Sequence, residues 1–335
     1  MKSVLITGGL GFVGTHLADN LIKSGCKLTI VDSLLTNVAQ PSEYADRCKV
    51  ICDSIENVAQ DLAPGSGSGY QFDEIYHLAS HVGPAGVLQH AGDIARSVIL
   101  SGDVATTLAL QHGSRLILAS TSEVYGRSGK LSEDLDCIVH PDYTVRLEYA
   151  AAKLTSEIAA LNKAKVTELH VNVVRPFNIS GPRQLPDGGF VLPRFIVAAL
   201  TNTPLTVFCD GKQTRAFTDV RDIVTGLIAT MRGEARGQVL NLGNPANEVA
   251  ILKLAQEVVR LTKSQSEIRL TDPKKLFGPL YEEGIERCPN VEKALRLLDW
   301  KPEYSLTKTI EDSIEYYRSR PDLVSINECE AVLSK

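Results

Sequence analysis

No apolar run in the 335-residue chain approaches the ~20 residues that cross a bilayer, so no transmembrane segment is expected. The seven cysteines (26, 48, 52, 137, 209, 288 and 329) are odd in number and scattered, with no Cys-x-x-Cys pair and no Cys/His cluster at zinc spacing. Neither a disulfide framework nor a metal site is therefore expected, and the thiols suit a reduced, cytoplasmic setting. Of Cys48 and Cys52, one is expected to pack and the other to stay idle. Charge of one sign is also scarce. The net charge of −5 gives no general attraction to nucleic acid or an anionic membrane. Twenty-five glycines and fifteen prolines are too few for a collagen-like or low-complexity chain. Internal repeats and linker-like stretches are absent. The opening segment MKSVLITGGLGFVG does not read as a signal peptide, because glycine breaks its apolar stretch at once and no small-residue cleavage site follows.

What is present is ample core material: 44% hydrophobic and 22% charged residues exclude global disorder. At about 150 residues per domain, the length suggests two domains or one large one. Short apolar runs at 3–7, 27–32, 49–52, 73–79 and 115–120 alternate with helical stretches or loops, of which 11–24 has clear helical spacing. This rhythm predicts a parallel sheet covered on both faces. A long helix is predicted over 143–164, then a strand at 168–174. Beyond 176 come shorter strands at 205–208 and 238–243, with helices near 190–201, 221–232, 250–262 and 306–319. The segment PGSGSG at 64–69 reads as a surface loop. The division implied is a first domain over 1–175, a lobe over 176–320 from which some strands and helices return to the first domain, and a polar tail over 321–335.

Thr7-Gly8-Gly9-Leu10-Gly11-Phe12-Val13-Gly14 follows the first strand and opens a helix. Gly8 permits a tight turn, Gly11 lets backbone approach a pyrophosphate, and Gly14 lets helix and strand pack closely. Phe12 and Val13 begin the helix, whose free N–H groups suit an anion. Asp32 ends the second strand, where a carboxylate takes the adenosine ribose hydroxyls and disfavours a 2′-phosphate. The pattern points to NAD. Asp53, after the third strand, could meet adenine or cap a helix. His77 in YHLAS reads as a structural histidine without a catalytic role.

Tyr149 and Lys153 lie four apart on one face of the long helix. The segment ASTSEVYG (119–126) ends the fifth strand, at the carboxyl edge where ligands of such sheets bind. Together with the glycine loop, these segments resemble the extended short-chain dehydrogenase/reductase superfamily, the NAD-dependent epimerases and dehydratases of nucleotide sugars, over about Ser3 to Tyr317. The resemblance implies a Rossmann-type doubly wound α/β fold with a smaller C-terminal substrate-binding lobe. It also implies a reaction. Tyr149 would take the proton of the sugar C4 hydroxyl, with its phenol, ordinarily near pKa ~10, helped by Lys153 and the nicotinamide charge. Thr121 would hold the same hydroxyl while NAD takes the C4 hydride.

Ser122 and Glu123 then bear on the outcome. Dehydratases of dTDP-glucose have Asp then Glu at these places, and Ser122 is a poor acid for a departing C6 hydroxyl. Oxidation at C4 turns a uronic acid into a β-keto acid that loses CO2 readily, and the Thr-Ser-Glu trio is similar to UDP-glucuronate decarboxylases and UDP-xylose synthases. VRPFNISGPR (174–183), DGKQTRAFTDVRD (210–222) and NLGNPANE (241–248) are similar to the aminoarabinose-pathway decarboxylases and plant UDP-apiose/xylose synthases, which also place an arginine where Arg146 stands. The resemblance puts Asn178, Arg183, Arg215 and Arg287 on the substrate: Arg215 where a cation suits a carboxylate or phosphate, Arg287 at the diphosphate–ribose. Decarboxylation of UDP-glucuronate to UDP-xylose or its 4-keto precursor is the leading expectation. The alternatives are 4-epimerisation, 4,6-dehydration, and a dinucleotide-binding sensor without turnover, which has no need of Thr121, Tyr149 and Lys153 together. Segment 81–93 departs from the decarboxylase pattern, as does the stretch before Tyr149. Helices near 90–112 and 143–164 are expected to pair into a homodimer through a stripe of Leu154, Ile158 and Leu161.

Overall fold

A computed structural model describes residues 1–80, 83–140, 144–274 and 286–324. The sequence readings for 81–82, residue 143, Cys329 and the tail beyond 324 lie outside the described residues. Along the chain, β1 (Ser3–Thr7), α1 (Phe12–Lys23), β2 (Lys27–Val31), β3 (Lys49–Ile51), α2 (Ile55–Leu62) and β4 (Glu74–His77) come first. Next are α3 (Gly83–Gln89), α4 (Ile94–His112), β5 (Arg115–Ala119), β6 (Gly129–Leu131), α5 (Val145–Val166) and β7 (His170–Pro176). The later chain supplies β8 (Ile179–Ser180), α6 (Val191–Leu200), β9 (Leu205–Phe208), β10 (Thr214–Ala216), β11 (Thr218–Asp219), α7 (Val220–Arg232) and β12 (Val239–Leu242). It ends with β13 (Glu248–Ala250), α8 (Ile251–Thr262), β14 (Ile268–Thr271), β15 (Arg287–Pro289), α9 (Glu292–Leu298), α10 (Leu306–Arg318) and α11 (Pro321–Val324).

Seven parallel strands form the central sheet in the order β12-β7-β5-β4-β1-β2-β3, a doubly wound Rossmann-like α/β arrangement. Its strands are apolar on both faces because helices cover both. In β1, Val4 and Ile6 join Leu17, Leu21, Leu227 and Trp300 on one side. Leu5, between them, joins Leu108, Leu116 and Val171 on the other. Strand order reverses between β1 and β4, so a crevice opens beyond their carboxyl ends. Thr7 and His77 finish these strands, and Thr7 Oγ1 bonds His77 Nδ1 at 2.8 Å. Burial first, then the Lys153 charge, lowers the His77 pKa to about 3. The ring is neutral and structural.

Although later than 176 in sequence, β12 and α7 return to the central sheet: β12 pairs with β7, and Ile223 and Leu227 enter the α1 side of the core. A separate core of Leu192, Phe195, Ile196, Leu254, Val258 and Ile310 binds α6, α8 and α10 together. Four strands of three residues form a further sheet, β13-β10-β15-β6. The sequence reading does not contain this sheet, since three residues are too few to display a period. For the same reason it lacks α3 and α9, of seven residues each. Among the described residues no helix is long and apolar enough to cross a membrane.

α5 meets the sheet through a charge pair. Glu157 is 1% exposed and Arg175, on β7, 5%; Arg175 Nε and Nη2 donate to the two carboxylate oxygens at 3.0 and 2.6 Å. Removing one partner leaves the other charge buried. Arg175→Leu is therefore expected to destabilise the fold by about 3–5 kcal/mol. The double variant Arg175→Leu/Glu157→Leu should recover much of that loss in urea denaturation, because no lone charge remains.

Candidate active site

The crevice is the mouth of a cavity of about 850 Å³. Its lining includes Gly8, Gly11, Phe12, Val13, Gly14, Asp32, Asp53, Thr121, Ser122, Glu123, Tyr149, Lys153, Asn178 and Arg215. Residues far apart in sequence thus meet where the topology opens the sheet. Arg183 and Arg287, also expected at the substrate, are not among these lining residues. The Arg183 guanidinium pairs with Asp19 of α1 at 2.8 Å, and Arg287 pairs with the lining residue Glu123.

The glycine loop is built for close approach. Gly8 has φ +71°, and a Cβ on it would lie 2.8 Å from the Ala79 amide nitrogen. A Cβ on Gly14 would lie 2.1 Å from the Gly8 carbonyl oxygen, so α1 can sit against the β1 turn only as glycine. No side chain caps α1, which leaves its first N–H groups for a ligand. Asp32 Oδ2 and Oδ1 accept from Leu10 and Leu34 N–H, each at 2.9 Å, which fixes the carboxylate at the cavity wall. Asp53 Oδ1 accepts from Ser54 N–H and Asn57 Nδ2, both at 2.7 Å, and also borders the cavity. Ser120 Oγ, buried in the wall, has no hydrogen-bond partner among the described residues. This cradle fits NAD.

β5 ends at Ala119, and Thr121 opens a short turn by accepting from Glu123 N–H at 3.2 Å. Lys153 donates from Nζ to the Ala119 carbonyl at 2.9 Å and lies 5.9 Å from the Tyr149 ring centre. Burial lowers the Lys153 pKa to about 8 against the pull of Glu157. Burial also pushes the Tyr149 phenol up, the Glu123 charge adds to this, and the nearby Ser80 and Thr121 hydroxyls oppose it. The sequence expectation counts on the nicotinamide charge beside Lys153, and that charge comes with the cofactor.

Glu123 is held in an arginine clamp. Arg146 Nε and Nη2 donate to it at 2.6 and 3.0 Å, and Arg287 Nη1 donates to Oε1. Burial raises its pKa, but the Arg146 and Arg287 charges outweigh burial and hold it at about 2. Arg215 faces Arg287 in the register of β10 and β15. Asn178 sits at φ +35°, in the left-handed region where asparagine is tolerated best after glycine, and its Nδ2 donates to the Ala216 carbonyl at 3.2 Å. One group escaped the sequence reading. Ser80 also lines the cavity, at the end of YHLAS, where its place just beyond a strand was the available signal. Gly83, Gly86, Val87 and Gln89 of α3, within the segment 81–93 that the resemblance sets beside the sugar pocket, form another stretch of wall.

The fold and cavity define a dinucleotide-dependent enzyme class, and comparison with known proteins identifies it. The chain belongs to the NAD dependent epimerase/dehydratase family, whose model matches residues 4–243. It is an NAD-dependent enzyme. It is 35% identical over 323 residues to the UDP-N-acetyl-alpha-D-glucosaminuronate decarboxylase of Bacillus cytotoxicus, covering 95% of this chain and 98% of that one. It is 34% identical to UDP-glucuronic acid decarboxylase 1 of Xenopus tropicalis, over 95% of this chain and 72% of the relative. Among solved structures it is similar to UDP-glucuronic acid 4-epimerase from Bacillus cereus in complex with NAD, with TM-score 0.78, 26% identity, and coverage of 95% and 99%.

The lowered pKa of Glu123 has a signed consequence. A depressed folded-state pKa gives stability that is complete above the ordinary value of 4.5 and is lost as pH falls toward about 2. The stability difference between the native protein and Glu123→Gln, from urea denaturation, should therefore be smaller at pH ~3 than at pH ~7. An equal difference at both would show that the clamp does not lower this pKa.

Proposed function

We propose that the chain decarboxylates a UDP-hexuronate, UDP-glucuronate foremost, giving UDP-xylose or its 4-keto precursor. The carrying observation is the Glu123 clamp. A carboxyl held near pKa 2 by Arg146 and Arg287 has no proton to give at neutral pH, and Ser122 beside it is no acid. A departing C6 hydroxyl would lack its proton donor, which disfavours dehydration. Loss of CO2 needs none. In a 4-keto uronate the electron pair of the C5–C6 bond passes into the C4 carbonyl, and a proton later enters at C5.

The roles follow. Bound NAD would supply the hydride acceptor for C4. Tyr149 takes the proton of the C4 hydroxyl, Thr121 holds that oxygen, and Lys153 supports the phenolate and helps to hold the cofactor. Arg215 offers its charge to the sugar carboxylate or diphosphate, Asn178 donates to the same region, and Glu123 with Ser122 borders the C5–C6 side. Gly8, Gly11, Phe12, Val13, Gly14, Asp32 and Asp53 hold the cofactor. Arg183 and Arg287 act one layer back, by pairing with Asp19 and Glu123. UDP-N-acetylglucosaminuronate is the second substrate to test, given the relative from Bacillus cytotoxicus. The family's epimerases make C4 inversion the rival outcome.

Incubation with UDP-glucuronate, UDP-N-acetylglucosaminuronate, UDP-glucose and GDP-mannose, followed by product masses, separates these readings. Loss of one CO2, or of one CO2 and two hydrogens where the 4-keto product is released and the hydride stays on the cofactor, supports the proposal; loss of one water marks dehydration, and unchanged mass with a new isomer marks epimerisation. Tyr149→Phe should lower the rate by about 10²–10⁴-fold.

A cytoplasmic homodimer through α4 and α5 completes the proposal. Of the expected stripe, Ile158 is 51% exposed. Leu154 instead packs toward Val124, Tyr125 and Phe177, and Leu161 toward the core of the sheet. Ile99 and Leu100 of α4, 39% and 44% exposed, take their place in the apolar face. Light scattering should give twice the chain mass for the native protein and one chain mass for Ile158→Glu; a native monomer at micromolar concentration would end this part of the reading.

A further inference from the structure

Glu148 precedes Tyr149 on α5 and is not part of the cavity lining. Its carboxylate binds another helix. Oε2 accepts from the Gly92 N–H at 2.8 Å and Oε1 from the Ala95 N–H at 3.1 Å. These groups belong to the first turn of α4 and the residues just before it. Helix starts leave such N–H groups without intrahelical partners, and a nearby side-chain acceptor usually satisfies them. Asp93, at the N-cap position of α4, makes no side-chain cap bond. The cap is borrowed from α5, where a carboxylate also meets the positive end of the α4 dipole.

This bond has a defined neighbourhood. Ile94 and Val98, in the first turns of α4, pack with Tyr149 and Ala152 in one apolar cluster, joined by Val87 of α3 and Val145 of α5. The start of α4 therefore forms the dry side of the Tyr149 ring, and α3 just before it forms cavity wall. Position along α4 and seclusion of the phenol are linked through Glu148.

We propose that Glu148 is a positioning residue: its carboxylate clamps the first turn of α4, and with it Ile94 and Val98, against the Tyr149 ring, fixing the apolar pocket in which the phenol works. This rests on Tyr149 being the base, and the test separates the two ideas. Glu148→Ala is compared with native enzyme, with Asp93→Ala as a control at the cap position that makes no cap bond, and with Tyr149→Phe. Three measurements are made on NAD-loaded protein: hydrogen exchange of the segment 90–98, ultraviolet phenolate absorbance against pH with the Tyr149→Phe curve subtracted, and kcat and KM for UDP-glucuronate. In Glu148→Ala, exchange at Gly92 and Ala95 should speed at least about 10-fold, as a local opening does. Water reaching the phenol removes part of the burial that raises its pKa, so the Tyr149 titration and the rising limb of kcat against pH should both move to lower pH. The plateau value of kcat above that limb should fall about 10-fold, a loss that small misplacement readily causes, with KM within about twofold. Glu148→Gln, which keeps one acceptor and the side-chain length, should restore part of each effect and carries the test if the alanine variant does not fold. Asp93→Ala should match the native enzyme. Faster exchange with an unmoved phenolate titration makes Glu148 a structural cap only and overturns the proposal, as does unchanged exchange. Native-like turnover by Tyr149→Phe would instead remove Tyr149 as the base.

Discussion

Glu157 and Arg175 fasten α5 to β7 inside the protein, and the order of the active site depends on that attachment. Glu157 lies one helical turn beyond Lys153 and two beyond Tyr149, so its pairing fixes both the rotation of α5 and its position along the sheet. The network extends well past the pair. The Arg175 guanidinium lies 4.7 Å from the Tyr125 ring centre, and the Tyr125 hydroxyl donates to Asn241 Oδ1 at 2.7 Å. Asn241 Nδ2 donates in turn to the carbonyls of Leu131, at 3.0 Å, and Asn290, at 3.2 Å. Those carbonyls sit on β6 and just after β15, the strand that carries Arg287. A polar chain therefore runs from α5 to the strand that carries Arg287. Most of its links are buried, where an unsatisfied partner is costly.

This organisation explains why strands of three residues suffice around the site. β6, β10, β13 and β15 have three residues each. The chain just described ties β6 to the segment after β15, and Arg215 stands opposite Arg287 across β10 and β15. Two like charges facing each other in adjacent strands would repel. The Glu123 carboxylate offsets that repulsion from one side, and an anionic ligand entering the cavity beside Arg215 would offset it from the other.

The parts of the site that were legible in the sequence are those whose geometry is local. Gly8, Gly11 and Gly14 act within one turn, Asp32 closes the next strand, and Tyr149 and Lys153 share a helix face through a spacing of four. Each is a statement about backbone period, which the chain carries in itself. Thr121, Ser122 and Glu123 were legible through a motif at a strand end. Partners were not. Arg287 meets Glu123 across 164 positions, and Arg183 meets Asp19 only because the segment after β8 folds back over α1. Likewise Leu154, apolar and at helical spacing, is read as surface stripe until Tyr125 and Phe177 are seen to take it up. Sequence periodicity says which residues share a face and is silent on what that face meets.

The same limit bears on the reaction. The proposed reaction and its rivals all begin with oxidation at C4, so the glycine loop, Tyr149 and Lys153 are common to every outcome and cannot discriminate among them. Discrimination lies in the protons available on the far side of the sugar. A carboxyl with an ordinary or raised pKa beside C6 can protonate a leaving hydroxyl; one clamped between two guanidiniums cannot, and presents a fixed negative charge instead. That charge works against an incoming uronate carboxylate, and Arg146 and Arg287, which hold it, offset it. Once CO2 has left, the substrate has lost its negative sugar carboxylate and interacts less with those cations. Electrostatics that favour the uronate over its decarboxylated product also favour product release, so in the proposed reaction the clamp that withholds a proton from C6 would bear on turnover as well as on the choice of reaction.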